Sequence, residues 1–206
     1  MTLLIKRRQY LGAVLAGCVA VQVGAGYAQT ERWQEAAMAR ARALHLETRP
    51  PNCSSEDGAP LHDAVVYPLR IGEETASRLA LLVQFPCRHG DNRSYVFIIA
   101  DQHGVALPVT FPAPMIDIRY IGENEKGPVE SITIKKTIDK RDVMNARYDP
   151  DTRTMEEANK WPGRGGANSL TRWVFRDGKF QITYFAVDAT YDGEDNPQAL
   201  IERDIW

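Results

Sequence analysis

The chain has 206 residues, with 25 basic and 27 acidic side chains and a net charge of −2. Its hydrophobic fraction of 44% is typical of a globular protein and excludes general disorder. Three basic side chains and no acidic one lie in residues 1–28, so the remainder carries a net charge of −5. An acidic domain gains little from displacing phosphate counterions, and we therefore expect no nucleic-acid partner.

The first 28 residues have the three parts of a signal peptide. Residues 6–8 are basic, residues 11–21 form an apolar run too short for a comfortable membrane span, and residues 24–28 are mostly small. This order predicts cleavage before Gln29 and a periplasmic or secreted protein. An internal helix is the less favoured alternative, because the charges lie only at the front of the segment and small residues close its back.

Two variants of this export signal stay open. Residues 7–11 fit the twin-arginine pattern for export after folding, although ordinary Sec signals also carry paired arginines. Residues 15–18 resemble a lipobox, in which Cys18 would become a lipid-bearing N-terminus. Apolar sequence continues past Cys18 to Val23, which favours cleavage near Ala28 over a lipid anchor.

Removal of Cys18 with the signal peptide would leave Cys53 and Cys87. Two cysteines in an oxidising compartment predict one disulfide. This bridge would join the irregular segment at residues 50–53 to a strand that ends at Cys87. Two unpaired thiols are the alternative.

Residues 29–59 are expected to form a helix and a linker. Thr30 can cap a helix over residues 31–47, and Pro50 and Pro51 would end it. Its apolar side chains recur at helical spacing: Trp33, Ala36, Ala37, Ala41 and Leu44.

From residue 60 onward the pattern is that of short strands, and residues 60–206 are predicted to form one β-rich domain. Residues 95–100 are apolar throughout, as in a strand that is buried on both faces, and the turn 101–104 follows. Pro108 places its strand at a sheet edge. Alternating apolar side chains predict four further strand faces: Leu79, Leu81, Val83 and Phe85; Val105, Leu107, Val109 and Phe111; Ile116, Ile118 and Tyr120; and Ile132, Ile134 and Ile138.

The last predicted element is a β-hairpin with Asp177 and Gly178 as its two-residue turn, after an earlier turn at residues 149–151. In that register the pairs across the hairpin are Phe175–Phe180, Trp173–Ile182 and Thr171–Tyr184. Many short strands separated by turns indicate a mainly β fold. We expect an antiparallel sandwich or a partly closed barrel with one N-terminal helix.

The weak catalytic candidates are Cys87, His89 and Asp91, a thiol with a possible base and acid beside it. Cys87 and His89 would share one face of a strand, which permits a nucleophile and base pair without demonstrating one. A cysteine in a disulfide cannot also be a resting nucleophile. The favoured interpretation is therefore a strand end that runs into a polar turn.

Other polar segments do not match a known cofactor or metal site, and we expect neither. The glycine-rich residues 163–166 lack the ending of a P-loop and are expected to form a surface loop. The acidic side chains Asp188, Asp192, Glu194 and Asp195 do not follow the ligand order of a calcium loop, which favours a solvated turn. The histidines are scattered: His45, His62, His89 and His103. Most aromatic residues lie at core-facing strand positions, which suits packing better than a sugar platform.

Two stretches carry a family resemblance: residues 82–100, with Leu-Val-Gln-Phe-Pro-Cys-Arg-His-Gly, and residues 148–180, with Tyr-Asp-Pro-Asp-Thr-Arg-Thr, Gly-Arg-Gly and Trp-Val-Phe-Arg-Asp-Gly-Lys-Phe. Together they resemble the bacterial domain-of-unknown-function family 1176, a group of predicted secreted proteins. The similarity covers roughly residues 60–206. It implies secretion and β content, and it implies no activity.

Three functions are consistent with these observations. The leading hypothesis is a non-catalytic envelope module that binds a protein or a cell-wall-related ligand. The second is a thiol-dependent hydrolase or transferase that uses Cys87 and His89. The third is a structural or inhibitory protein that acts against a host or competitor enzyme.

Overall fold

A computed structural model describes residues 24–50, 53, 64–72, 77–88, 92–123, 127–162 and 166–204, with side chains described from residue 32. The predicted signal peptide lies outside these residues as far as Val23. The elements in this part of the chain are α1 (Gly24–Thr48), β1 (Val65–Ile71), β2 (Arg78–Arg88), β3 (Ser94–Asp101), β4 (Ala106–Pro108), β5 (Phe111–Tyr120), β6 (Val129–Lys140), β7 (Asp142–Met144), β8 (Arg147–Asp149), β9 (Thr154–Lys160), β10 (Asn168–Arg176), β11 (Lys179–Asp188) and β12 (Gln198–Glu202).

All strand pairs described in the structure are antiparallel. The first sheet has the order β1-β2-β3-β4, and β7 also pairs with β3. The second sheet has the order β12-β11-β10-β9-β8, and β5 and β6 form a separate two-stranded ribbon. The two sheets enclose one core, so the predicted mainly β fold with one N-terminal helix is confirmed as a sandwich.

The core between the sheets is built around Phe111. Its ring lies 5.2 Å from that of Trp173 and 4.7 Å from that of Phe180, measured between centroids. Trp173 is fully buried, and its indole nitrogen donates a hydrogen bond to the carbonyl oxygen of Pro112 at 2.7 Å. The start of the ribbon is thus fixed to the second sheet by both apolar and polar contacts.

The predicted strand through residues 105–111 is divided in the structure. Its first part is β4, a short edge strand, as Pro108 indicated. After Val109 donates a last hydrogen bond to the carbonyl oxygen of Phe97, the chain leaves the sheet and Phe111 begins the ribbon. Val109 and Phe111 are therefore buried, whereas Val105 and Leu107 are exposed.

The hairpin at Asp177 and Gly178 is confirmed. Both residues have positive φ, 54° and 76°, as a type I′ turn requires. The predicted pairs Phe175–Phe180 and Trp173–Ile182 are present.

The predicted pairing of Thr171 with Tyr184 is wrong. A bulge between Arg172 and Trp173 places Tyr184 opposite Arg172, and Thr171 opposite Phe185. The extra residue reverses the alternation of β11, so that Phe185 enters the core and Tyr184 lies on the outer face of the sheet.

The helix also differs from its prediction. It begins at Gly24 rather than at residue 31, so the predicted cap Thr30 is a helical residue, and no proline interrupts the helix in residues 24–30. Ala37 and Ala41 are fully buried, as expected, but Ala36 is exposed. The third buried member of this face is His45.

A buried ion pair connects the ribbon to the second sheet. The Lys140 ammonium contacts both carboxylate oxygens of Glu157, whose side chain is only 5% exposed, against 23% for Lys140. Glu157 also accepts a hydrogen bond from the backbone nitrogen of Met144 at 2.8 Å, and the ammonium lies 5.7 Å from the Trp173 ring. The carboxylate therefore ties together three elements, β6, β7 and β9.

Replacement of Glu157 by Gln should lower the free energy of unfolding by about 3 kcal/mol, because it leaves the Lys140 ammonium without its counter-charge. Urea unfolding followed by circular dichroism measures this. The matched control is Asp117→Asn, which breaks the exposed pair of Asp117 with Lys135 and should cost much less. Equal losses for the two variants would contradict the structural role of Glu157.

Candidate binding groove between the helix and the first strand

Helix α1 lies on the outer face of the first sheet. Ala37 and Ala41 are buried against Leu81, Val83 and Ile98, in a cluster separate from the sandwich core. Alanine has no side chain beyond Cβ, so the helix can approach the sheet closely at these two positions. The first sheet is therefore apolar on both faces, with the helix on one side and the second sheet on the other.

His45 continues the buried face of the helix. Its ring stacks on Phe85 with 4.3 Å between centroids and 5° between planes. Its Nδ1 has no hydrogen-bond partner among the described residues. Burial lowers the pKa of His45, and the nearby charges of Arg49 and Arg141 lower it further. The neutral imidazole thus packs as an aromatic ring.

Two arginines attach the helix by polar contacts. Arg40 Nη2 donates to the carbonyl oxygen of Asp101 at 2.8 Å. Arg141 Nη1 donates to the carbonyl oxygen of Thr48 at 2.6 Å, and its Nη2 donates to Thr48 Oγ1 at 3.0 Å. Arg141 therefore caps the last turn of the helix, whose carbonyl groups otherwise have no partners within the helix.

The predicted disulfide between Cys53 and Cys87 is confirmed. The bridge spans 34 positions and joins the segment after the helix to the end of β2, where both sulfurs are buried beside Phe85. It holds the C-terminal end of α1 near the sheet. Helix position is thus determined jointly by apolar packing, two arginines and one covalent bond.

A groove remains where the helix does not cover the sheet. The elements that α1 contacts most are β2, β3 and β4, so the outer face of edge strand β1 forms the opposite wall. The groove consists of two adjoining hollows of about 610 Å³ and about 1000 Å³, which share Gln34, Pro68 and Leu81. We call this the helix–strand groove.

The walls of the helix–strand groove are apolar and its rim is basic. Met38 and Val66 line the smaller hollow, and Trp33 lines the larger one. The charged lining side chains are Arg42, Arg70, Arg153 and Glu35. Within the described part of the chain, none of these three arginines forms an ion pair with a carboxylate. Aromatic residues, methionine and arginine on an open concave surface are typical of protein interfaces.

Of the three catalytic candidates predicted from the sequence, the structure describes only Cys87, so it shows no catalytic site among them. The Cys87 sulfur is bonded to Cys53, so it is not a free thiolate in this structure. His89 and Asp91 lie outside the described residues. The described position thus supports the structural role of Cys87 in the bridge.

The glycine-rich and acidic segments also have structural roles where they are described. Residues 163–165 lie outside the described part of the chain. Asp188 is only 1% exposed, so the expected solvated turn is wrong at this position. Its carboxylate accepts hydrogen bonds from the nitrogen and hydroxyl of Thr190 and from the nitrogen of Asn196. Burial opposes ionisation of Asp188, but these bonds outweigh it and lower its pKa.

The described residues contain no cluster of histidine, cysteine or carboxylate side chains that could hold a metal ion. In the same part of the chain, no helix has the length and apolarity that crossing a bilayer requires.

Comparison with known proteins adds no relative. The sequence matches no protein-family model, and no curated protein or solved structure matches it.

Sequence reasoning missed the helix–strand groove, because it is formed by elements that are far apart in the chain. Trp33 shares the helical spacing of the buried alanines, and it is half-buried because it both packs against the cluster under the helix and lines the larger hollow. One signal was available: Val65 and Val66 are adjacent apolar residues that point to opposite faces of one strand, and both remain exposed in the structure.

Replacement of both Cys53 and Cys87 by Ser should lower the free energy of unfolding by about 2–4 kcal/mol, because the bridge restricts the unfolded chain. Urea unfolding with and without dithiothreitol measures this. The reductant should destabilise the wild type by a similar amount and leave the double variant unchanged. Unchanged stability of the variant would instead favour a free Cys87 thiol.

Stability should fall on acidification because of His45. Its pKa is lowered in the folded state, so the unfolded chain binds the proton more readily. The contribution of His45 is fully present above its ordinary pKa of about 6.5 and is lost as the pH falls through the folded-state pKa. His45→Phe keeps a ring against Phe85 and removes this titration.

The free energy of unfolding, measured at pH 7.5 and at pH 5, should therefore fall less in His45→Phe than in the wild type. The control is His103→Gln, a change at an exposed histidine, which should retain the wild-type difference. If His45→Phe loses as much free energy of unfolding between pH 7.5 and pH 5 as the wild type does, His45 is not the source of the pH dependence.

Proposed function

We propose that this protein is an exported, non-catalytic envelope module that binds a partner protein through the helix–strand groove. The observation that carries the proposal is the open apolar wall between α1 and β1. Val66 is 39% exposed there, although it lies on the same face of the sheet as side chains that the helix buries. A bound segment would complete the cover that the helix leaves unfinished.

The groove favours a partner segment with an apolar anchor and acidic neighbours. Met38 and Val66 offer an apolar site of the kind that holds one or two large side chains. Among the described lining residues, Arg42, Arg70 and Arg153 outnumber Glu35, and this excess of positive charge would attract a negatively charged segment. Strand addition along β1 is less favourable, because Pro68 in its middle cannot donate a backbone hydrogen bond.

Export is supported by two independent features. The order of charge, apolar run and small residues in residues 1–28 is that of a signal peptide. The closed bridge of Cys53 and Cys87 is typical of proteins that fold in an oxidising compartment such as the periplasm. The resemblance to a family of predicted secreted proteins also implies export.

The proposal can be tested by photo-crosslinking. A photoreactive benzoyl-phenylalanine at Ala39, an exposed residue that lines the smaller hollow, should form a discrete protein adduct when the protein is irradiated in an envelope extract. Adding the substitution Val66→Asp should lower the adduct yield at least about fivefold, because it places a charge in an apolar contact.

The matched control is Val105→Asp, which changes a valine of similar exposure, 41%, outside the groove. This variant should retain the adduct. Absence of a discrete adduct at Ala39, or equal loss in the two valine variants, would contradict binding in the groove.

A further inference from the structure

Another hollow, of about 460 Å³ and separate from the helix–strand groove, lies on the outer face of the second sheet, on the side opposite the helix. Its floor consists of Ala158 on β9, Leu170 on β10 and Ala186 on β11, which lie side by side in the ladder. The two alanines have no side chain beyond Cβ, so the floor is low on either side of Leu170. We call this site the tyrosine hollow, after Tyr184 at one of its walls.

Tyr184 is held in position by a cation–π contact with Arg172, which in turn pairs with Glu156. Its ring lies 5.3 Å from the Arg172 guanidinium, and Arg172 Nε donates to Glu156 Oε2 at 2.8 Å. The three side chains lie in one row across β9, β10 and β11. Tyr184 belongs to this outward-facing row because the bulge beside Arg172 reverses the alternation of β11. The bulge therefore places the Tyr184 ring at the hollow.

The other walls carry a second aromatic ring and an ordered loop. Trp161 lines the hollow where β9 ends, and its backbone nitrogen donates to the carbonyl oxygen of Ala167 at 2.9 Å. Asp195 and Pro197 come from the loop before β12. The buried carboxylate of Asp188 organises this loop and thereby fixes the wall before any ligand arrives.

The described polar groups of the tyrosine hollow are balanced in charge. Among them are one cation, Lys160, and one anion, Asp195, and Asn168 adds an amide. The described lining therefore has no excess charge that would select a phosphate or a polyanion. Donors and acceptors beside two aromatic rings instead suit a ligand with hydroxyl groups on its edge and C–H groups on its face.

We propose that the tyrosine hollow binds a neutral carbohydrate, with the face of one sugar ring on Tyr184 and its hydroxyl groups on Lys160, Asn168 and Asp195. The volume lies within the range of about 300–1,000 Å³ that is usual for small-molecule sites. The proposal is independent of the helix–strand groove, since the two sites share no residue.

Titration with chitotriose, cellotriose and maltotriose, followed by ¹H–¹⁵N NMR spectra of the ¹⁵N-labelled protein, tests this proposal. At least one trisaccharide should shift the Trp161 indole and the Asn168 side-chain amide in a saturable manner. Ala158→Arg fills the floor at an exposed position and should weaken binding at least about fivefold. Tyr184→Ala should have a similar effect, whereas Tyr184→Phe keeps the ring and should retain most of the affinity.

The matched control is Gln181→Arg, which places the same side chain on the outer face of β11 nearer the hairpin, outside the hollow. It should leave the affinity unchanged. The proposal is overturned if no trisaccharide shifts these two signals, if the shifts map to the helix–strand groove, or if Gln181→Arg weakens binding as much as Ala158→Arg. The amide spectra show whether each variant is folded. If an arginine variant is unfolded, the comparison of Tyr184→Ala with Tyr184→Phe takes its place.

Discussion

The structure depends on one constraint: β2 and β3 are apolar on both faces and must be covered twice. Leu82 and Phe97 face the second sheet, whereas Val83 and Ile98 face the helix. A sandwich alone would leave the second face in water, at a cost of roughly 25 cal/mol for each Å² of apolar surface. The helix buries this second face, and the disulfide and the arginine contacts hold the helix in place. The groove exists because the helix does not extend over β1.

Patterns that involve neighbours in the chain were predictable from the sequence. The continuous apolar run at residues 95–100 indicated a doubly buried strand, and Asp177-Gly178 indicated a hairpin, and the structure confirms both. The disulfide could be inferred from cysteine number and expected compartment. Each of these features has a physical cause within one short segment, or within a single pair of residues.

Features that depend on contacts between distant segments of the chain were not predictable from the sequence. Nothing local in the sequence marks the bulge beside Arg172, which is needed only because Phe185 must enter a core built by distant strands. His45 was grouped with scattered histidines, because its stacking partner lies forty positions away. The aromatic residues illustrate both outcomes. Trp173 packs in the core as expected, whereas Tyr184 lines a surface hollow, and the half-buried Trp161 both packs against the core and lines that hollow.

The two proposed sites lie on opposite outer surfaces of the sandwich. The groove is formed on the helix side of the first sheet, and the tyrosine hollow on the outer face of the second. A ligand in one would not obstruct the other, so a single molecule could hold a protein and a glycan at once. The rigid sandwich between them would act as a spacer.

The ribbon of β5 and β6 has a consequence for behaviour at high concentration. It is long, and Met115 and Ile138 are exposed on it. Open strand edges with such side chains promote the growth of intermolecular sheets. Pro112 and Pro114 remove backbone donors from β5, and Lys136 adds a charge to β6 that repels a second copy of the ribbon. The ribbon thus carries its own protection against fibril formation.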